Sequence, residues 1–512
     1  FAIAIWDSRE RKLVLARDRV GKKPLFYAED SEHVTFASEL KALLTDHRVS
    51  REMDMMALSD YFSLGYIPAP KTIYRAVRKI LPGHYRVFTV NGSRQTSFWD
   101  LSFAETDRRT EEEWCEILRH ELSDATRVRL LSDVPLSAFL SGGVDSSAVV
   151  AMMARLMKRP VSTCSIGVEE QEFNELDHSR LAARHFNTNH QELMVRPDAV
   201  EVVGKLAWHF DEPFGDSSAI PTYYVSKVAR QFVTVALGGD GGDENFAGYR
   251  RYAFDCLENR LRDLCPDSIR SPIFGRLGSW YPGLAWAPRA FRAKATFQNL
   301  GRSPLEGYFN SISVFRPDEK PQLFNRDVTK MLAGYDTLQV LQSYYDRADT
   351  QDSLSKIQYV DIKTYLPDDI LTKVDRASMA VSLEVRAPLL DHKLMELAAR
   401  VPSWLKLRHM KGKYIFKKAM RGIVPDEILT RKKQGFVIPL NRWFRKELKD
   451  MAEEMLFDEK EDLLDTKYLR RIWSEHQNGT RDRAAHLWCV LMFRQWQNTF
   501  RTVPLLARME RN

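Results

Sequence analysis

Two glycine-rich loops, each directly after a short apolar run, constrain this chain more than any other feature. In the first, "PLSAFL" (135–140) leads into "SGGVDSS" and then into "AVVAMMARLMK". In the second, "FVTVAL" (232–237) leads into "GGDGGDE". Between them, "VSTCSIGV" (161–168) and "HQELMV" (190–195) read as further strands, with a polar helical segment over 175–186. The first loop is followed by a helix expected over 146–158, with Ser146 or Ser147 as its cap. Alternation of strand and helix predicts an α/β fold, a parallel sheet covered by helices. In such sheets ligands sit at the carboxyl ends of the strands, where both loops are placed.

The first hundred residues read differently. Short strands are expected over 1–7, 12–18, 24–29 and 33–38, and a hairpin over 81–100 turning at Asn91-Gly92. The polar stretch 104–113 marks a linker or the start of the next helix. Two domains follow, 1–103 and 104–512, the latter mostly helical beyond about residue 250. There is no internal repeat. The net charge of +7 permits anion binding without arguing for nucleic acid. Cys115, Cys164, Cys256, Cys265 and Cys489 form no CxxC and no zinc spacing, so reduced thiols in the cytoplasm are expected. No apolar run approaches the ~18 residues of a membrane span.

The first loop lacks the Lys-Ser or Lys-Thr that closes a Walker loop. Gly142 and Gly143 let backbone approach a ligand, and the hydroxyls of Ser141, Ser146 and Ser147 suit phosphate oxygens. Asp145 would repel phosphate unless a cation lies between them, which argues for Mg²⁺. The acids of the second loop, Asp240, Asp243 and Glu244, suit a metal or the orienting of a nucleophile. Lys373, Asp375, Arg376, Glu384 and Arg386 in "LTKVDRASMAVSLEVR", and the basic run "TRKKQGF", read either as binding groups or as solvated charge.

"LSGGVDSS" resembles the PP-loop of ATP pyrophosphatases. With "FDEPFGDSSAIPTYYVSKVAR", "LGGDGGDENFAGYRRY", "DDILTKVDRASMAVSLEVRAPLLDH" and "LTRKKQGF", the chain resembles the glutamine-hydrolysing asparagine synthetases. "FAIAIWDSRERKLVLARDRVGKKPLFYAEDSEHVTFASELKALL" and "IPAPKTIYRAVRKILPGHY" resemble the C-terminal part of their class II, Ntn-type α+β glutaminase domain. The resemblance implies that a carboxylate, aspartate by default, attacks the α-phosphate of ATP. An acyl-adenylate forms, pyrophosphate leaves, and ammonia drawn from glutamine through an internal tunnel gives the amide and AMP.

Position by position, the resemblance implies that Ser141, Gly142, Gly143, Asp145, Ser146 and Ser147 cradle pyrophosphate. It has Asp145 and Asp243 ligate Mg²⁺, while Leu140, Ile166, Gly238 and Gly239 line the adenosine site. Asp240 would assist amide formation, and Lys433 would neutralise pyrophosphate. Lys373, Arg376, Glu384 and Arg386 would lie near the carboxylate. The expected partners are ATP, a carboxylate and glutamine or ammonia, with no nucleic acid and no membrane; a homodimer is the assembly left open. The class II nucleophile is an N-terminal Cys, whereas this chain opens at Phe1 within an apolar run. The expectation is therefore an upstream segment carrying that Cys, and no glutamine hydrolysis by these 512 residues alone. Other readings are amidation of a different carboxylate, such as a sugar or natural-product precursor, a tRNA-modifying PP-loop enzyme, and a non-catalytic scaffold.

Overall fold

The computed structural model describes residues 1–104, 107–168, 176–195, 198–281, 294–431, 438–458 and 463–501. The N-terminal strands are β1 (Ala2–Asp7), β2 (Lys12–Arg17), β3 (Phe26–Glu29), β4 (Val34–Ala37), β5 (Val77–Lys79), β6 (His84–Thr89) and β7 (Gly92–Ser97). They form two antiparallel sheets, ordered β1-β2-β6-β7 and β4-β3-β5. The β6–β7 hairpin turns one residue earlier than expected. Thr89 pairs with Gly92, so Val90 and Asn91 make the turn, and Gly92 takes the positive φ of +119°. Strand β1 lies at a sheet edge with Ile3, Ile5 and Trp6 exposed.

The second part is built on β8 (Leu136–Phe139), β9 (Ser162–Val168), β10 (Asn189–Val195), β11 (Val235–Leu237) and β12 (Glu384–Arg386). All four pairings are parallel, in the order β10-β9-β8-β11-β12. From β8 the chain winds outward through β9 to β10, then crosses back to place β11 on the other side of β8. The winding therefore reverses between β8 and β11. A crevice opens at such a reversal, because the two flanking connections leave in opposite directions. Both glycine-rich loops leave the sheet there. The last strand was not legible in the sequence: Glu384 and Arg386 read as binding groups or solvated charge, yet Val235 pairs with Glu384 and Leu237 with Arg386.

Helices cover the sheet. Glu111–Arg129 begins in a capping box, with Thr110 accepting from the Glu113 N–H and Glu113 accepting from the Thr110 N–H. The two halves of the chain share a core. Phe62 packs edge-on at ring distances of 5.4–5.7 Å from Phe315, Phe324 and Phe493, and the Tyr61 hydroxyl donates to the Cys489 carbonyl (2.8 Å). All five cysteines are free thiols. Among the described residues no helix is long and apolar enough to cross a membrane.

Candidate active site

The first loop is tighter than its sequence suggests. The helix after it spans Val144–Leu156 with Gly143 as N-cap, so it begins ahead of Ser146 and Ser147 rather than at them. The reason is backbone geometry: Gly143 is extended (φ −80°, ψ 163°), and its carbonyl already accepts from the Ser147 N–H (3.0 Å). Both serines thus lie in the first turn. Ser146 Oγ meets Ser141 Oγ at 3.1 Å, while Ser147 is fully buried. The N–H groups of a first helical turn have no intrahelical acceptor, which makes this terminus suited to an anion.

Gly142 has a packing role in the fold. Its φ is +66°, and an added Cβ would collide with the His178 backbone. Glycine here admits the helix Leu176–His185 against the loop, and the Gly142 carbonyl accepts from Arg431 (3.0 Å).

The second loop closes on the first. The Gly238 N–H donates to the Arg386 carbonyl (2.8 Å), extending the β11–β12 pairing. A Cβ on Gly238 would sit 2.7 Å from Asp240 Oδ2. A Cβ on Gly239 would sit 2.8 Å from the Ser146 amide nitrogen and 3.0 Å from Asp145 Cβ. The two loops are therefore in backbone contact, and only glycine fits between them.

They frame a cavity of about 310 Å³. From the first loop it is lined by Leu140, Ser141, Gly143, Asp145 and Ser146. Ile166 joins from β9, and Gly238, Gly239, Asp240 and Asp243 from the second loop. The far wall is Ser218, Pro221, Thr222 and Val225 of the helix Ala219–Ala229, with Lys373 beside them. Cys164 and Ser165 also line it, and Ser165 Oγ donates to the Leu140 carbonyl (2.5 Å). Burial pushes the Cys164 thiol up to about 12, so it stays protonated. Sequence reasoning missed this far wall. Its uncharged residues fall within "FDEPFGDSSAIPTYYVSKVAR", but only the packing of a helix over the strand ends brings them to the cavity.

One residue that sequence reasoning passed over holds a central place. Lys413 is 6% exposed and bridges the loops: its Nζ donates to Asp145 Oδ2 and lies 2.7 Å from Asp243 Oδ1. Burial works against the ammonium's charge, but the two carboxylates outweigh it and hold it protonated. No spacing in the sequence signals this contact, since Lys413 is 268 residues from Asp145.

Lys373 is positioned from below. A π-helical turn over Leu366–Leu371 runs into the helix Thr372–Met379, and this widened turn buries Asp368 and Asp369. Lys373 Nζ donates to Asp216 Oδ2 at 2.7 Å. Burial opposes its charge, yet Asp216 and Asp369 raise its pKa on balance. Asp216 is itself drawn down to about 2 by Lys373 despite its burial. Asp369 is pushed well up by burial and by the neighbouring Asp216 charge. Asp240 is raised by burial first, and further by Asp145 and Asp243, while Lys373 pulls the other way.

Three of the residues expected near the carboxylate are not in the cavity lining. Glu384 and Arg386 are outside the cavity lining: Arg386 Nε donates to Glu384 (2.7 Å), and its Nη1 donates to the carbonyls of Arg129 (2.9 Å) and Leu131 (2.8 Å). Their visible work is to tie β12 to a helix end, a favourable place for a cation. Arg376 donates to the Ser38 carbonyl (3.1 Å) and lies 3.6 Å from Glu39 and 3.4 Å from Asp211. Lys433 lies outside the described residues.

A pair of carboxylates from the first turns of two helices, already bridged by one cationic group, is chemically suited to a divalent cation. Among the described residues no group of three or more acidic, His or Cys side chains converges for a metal. A Mg²⁺ held by Asp145 and Asp243 would draw its remaining ligands from phosphate and water, as this ion commonly does.

Comparison with known proteins agrees with the architecture. The family model described as asparagine synthase matches residues 117–498, and that of the glutamine amidotransferase domain matches residues 1–99. Asparagine synthetase [glutamine-hydrolyzing] 1 of Bacillus subtilis is 32% identical, over 97% of this chain and 77% of its own length. Asparagine synthetase [glutamine-hydrolyzing] 3 of the same organism is 28% identical, over 85% of this chain and 66% of its own. A Penicillium rubens protein named amidase chyE is 28% identical over 86% of this chain and 70% of its own. A model match over most of the chain and near-full-length similarity at 32% identity place this protein in the asparagine synthase family of carbon–nitrogen ligases.

Proposed function

We propose that the protein uses ATP to activate a carboxylate as an acyl-adenylate, releases pyrophosphate, and amidates the acyl carbon with ammonia. Glutamine is the proposed source of that ammonia and L-aspartate the default acceptor. The observation that carries this reading is the single cavity at the β8/β11 reversal, shared by an anion-binding helix terminus, paired carboxylates and Lys373.

In this reading the adenine lies against Leu140 and Ile166, with Gly238 and Gly239 letting the nucleotide approach the backbone. Ser141, Gly143 and Ser146, with the helix terminus, hold the departing β- and γ-phosphates. Asp145 and Asp243 hold Mg²⁺, which when bound neutralises phosphate charge. Lys433 is proposed to add positive charge to the leaving pyrophosphate. Lys373 is the cation at the acceptor end of the cavity, and its ion pair with Asp216 fixes the ammonium in place. Ammonia attacking the acyl carbon must lose a proton, and Asp240 is the carboxylate proposed to take it. A small cavity of about 20 Å³ is lined by residues of both domains, among them Arg17, Lys79, Glu212 and Asp368.

The test is a panel assay. The protein is incubated with ATP, Mg²⁺, ammonium and single carboxylates, and pyrophosphate and amide are followed. Aspartate-dependent pyrophosphate with asparagine as product is expected. No pyrophosphate with aspartate but release with another acid would transfer the chemistry to that acid. The likeness to a fungal protein named an amidase is the observation that favours including non-amino-acid carboxylates.

Asp240→Asn separates the two half-reactions. Carboxylate-dependent exchange of pyrophosphate into ATP should persist, while amide formation falls by roughly 10²–10⁴-fold, the usual contribution of a positioned proton acceptor. The pH dependence has a definite sign. Asp240 must be ionised to act, and its pKa is raised, so amide formation should fade as pH drops through a value above the ordinary carboxylate range. An acid limb at an unshifted carboxylate pKa, or one identical in Asp240→Asn, would remove this role.

A further inference from the structure

Lys413 is built into its position with unusual care. It takes a left-handed backbone conformation (φ +61°) at the N-cap of the helix Tyr414–Ala419, and its N–H donates to the Phe246 carbonyl (2.8 Å). A non-glycine residue in that region costs energy unless its surroundings impose it. The surroundings do impose it. Ala247 is also left-handed (φ +54°), and a Cβ on Gly412 would collide with the Ala247 carbonyl. A Cβ on Gly248 would collide with both Asp243 Oδ1 and Lys413 Cε. Two glycines and two left-handed residues thus bring one buried ammonium to the two carboxylates that the proposed mechanism gives to Mg²⁺.

The charges then decide the outcome. The Lys413 ammonium already offsets part of the negative charge of Asp145 and Asp243. A bare divalent ion entering the same gap meets a positive charge within contact distance, in a setting that water screens poorly. Nucleotide changes this, because its phosphate oxygens bring negative charge and can accept the lysine's hydrogen bonds.

We propose that Lys413 is a stand-in cation: without nucleotide it occupies the place of the divalent ion between Asp145 and Asp243, so that metal enters only together with ATP. The proposal rests on the reading of Asp145 and Asp243 as metal ligands. Lys413 is a positioning residue in this scheme, and ordered binding is its consequence.

Mn²⁺ serves as the probe, with free ion counted by electron paramagnetic resonance in titrations of the whole protein. Wild type should bind Mn²⁺ at least about tenfold more tightly with ATP than without it, given how strongly ligand charge sets such affinities. Lys413→Met should bind Mn²⁺ without ATP at least about tenfold more tightly than wild type, and Lys413→Arg should restore the wild-type pattern. Circular dichroism confirms folding, and Lys413→Gln replaces the Met variant if that one does not fold. Equal Mn²⁺ affinity of wild type with and without ATP overturns the proposal without any variant. Equal ATP-free affinity in wild type and Lys413→Met also overturns it. Asp243→Asn tests the underlying reading separately: if it leaves Mn²⁺ binding in the presence of ATP unchanged, Asp243 is not a metal ligand and the site assignment itself fails.

Discussion

Asp211→Ala is expected to destabilise the protein by about 3–5 kcal/mol, the range for removing one partner from a buried charge network. Asp211 is fully buried. Its carboxylate accepts from the Leu40 N–H (2.8 Å) and from Lys41 Nζ (2.7 Å), and Arg376 lies 3.4 Å away. Its backbone carbonyl accepts from the Trp496 indole (2.8 Å). One residue thus joins the N-terminal half, the helix carrying Lys373 and the final helix. Alanine would leave an amide and two cations without this carboxylate, away from water. It would also strain the backbone, because Asp211 has a φ of +67° and aspartate tolerates that region better than alanine does. Urea unfolding provides the measurement. Asp211→Asn keeps an acceptor and the tolerated backbone, so it should lose less. A loss under about 1 kcal/mol for alanine would show that Glu39, already paired with Lys41, takes over both cations.

Gly239→Ala should act on catalysis with little effect on the fold. The new methyl would lie 2.8 Å from the Ser146 amide nitrogen, which is backbone at the start of a helix and cannot rotate aside. The two loops must then part by a fraction of an ångström. Displacements of about 1 Å in a positioned site can cost roughly 10²-fold in rate. We expect kcat/KM for ATP to fall by about that factor or more, with the unfolding midpoint shifted far less than by Asp211→Ala. Near-normal activity would show that the nucleotide does not lie where the two loops meet. Gly275→Ala, in the helix Asp267–Trp280, is the natural control, because a Cβ there meets nothing within 4 Å.

Much of the architecture was legible because it rests on local rules. Apolar runs of strand length, separated by a helix-period segment and ended by glycine loops, can satisfy their backbone and bury their side chains only as parallel strands with covering helices. That reading placed β8, β9, β10 and β11 within a residue or three of their bounds, and placed the loops at the strand ends. The succession of strand, tight loop and helix terminus was legible for the same reason, since the three are contiguous in sequence.

What the sequence left undecided involves contacts across long separations. Glu384–Arg386 is short and charged, with no alternation to mark a strand; it becomes β12 only because β11 offers an open edge. Lys413 is one of many lysines until folding inserts it between two loops far from it in the chain. The reverse holds for Glu384 and Arg386, whose charges suggested substrate contact while the fold engages them with each other and with a helix end. Sequence by itself determined the sheet, the loops and the class of chemistry, because hydrophobic period and glycine conformational freedom act over a few residues. Tertiary structure alone decided which charges meet, because burial and ion pairing depend on distance in space.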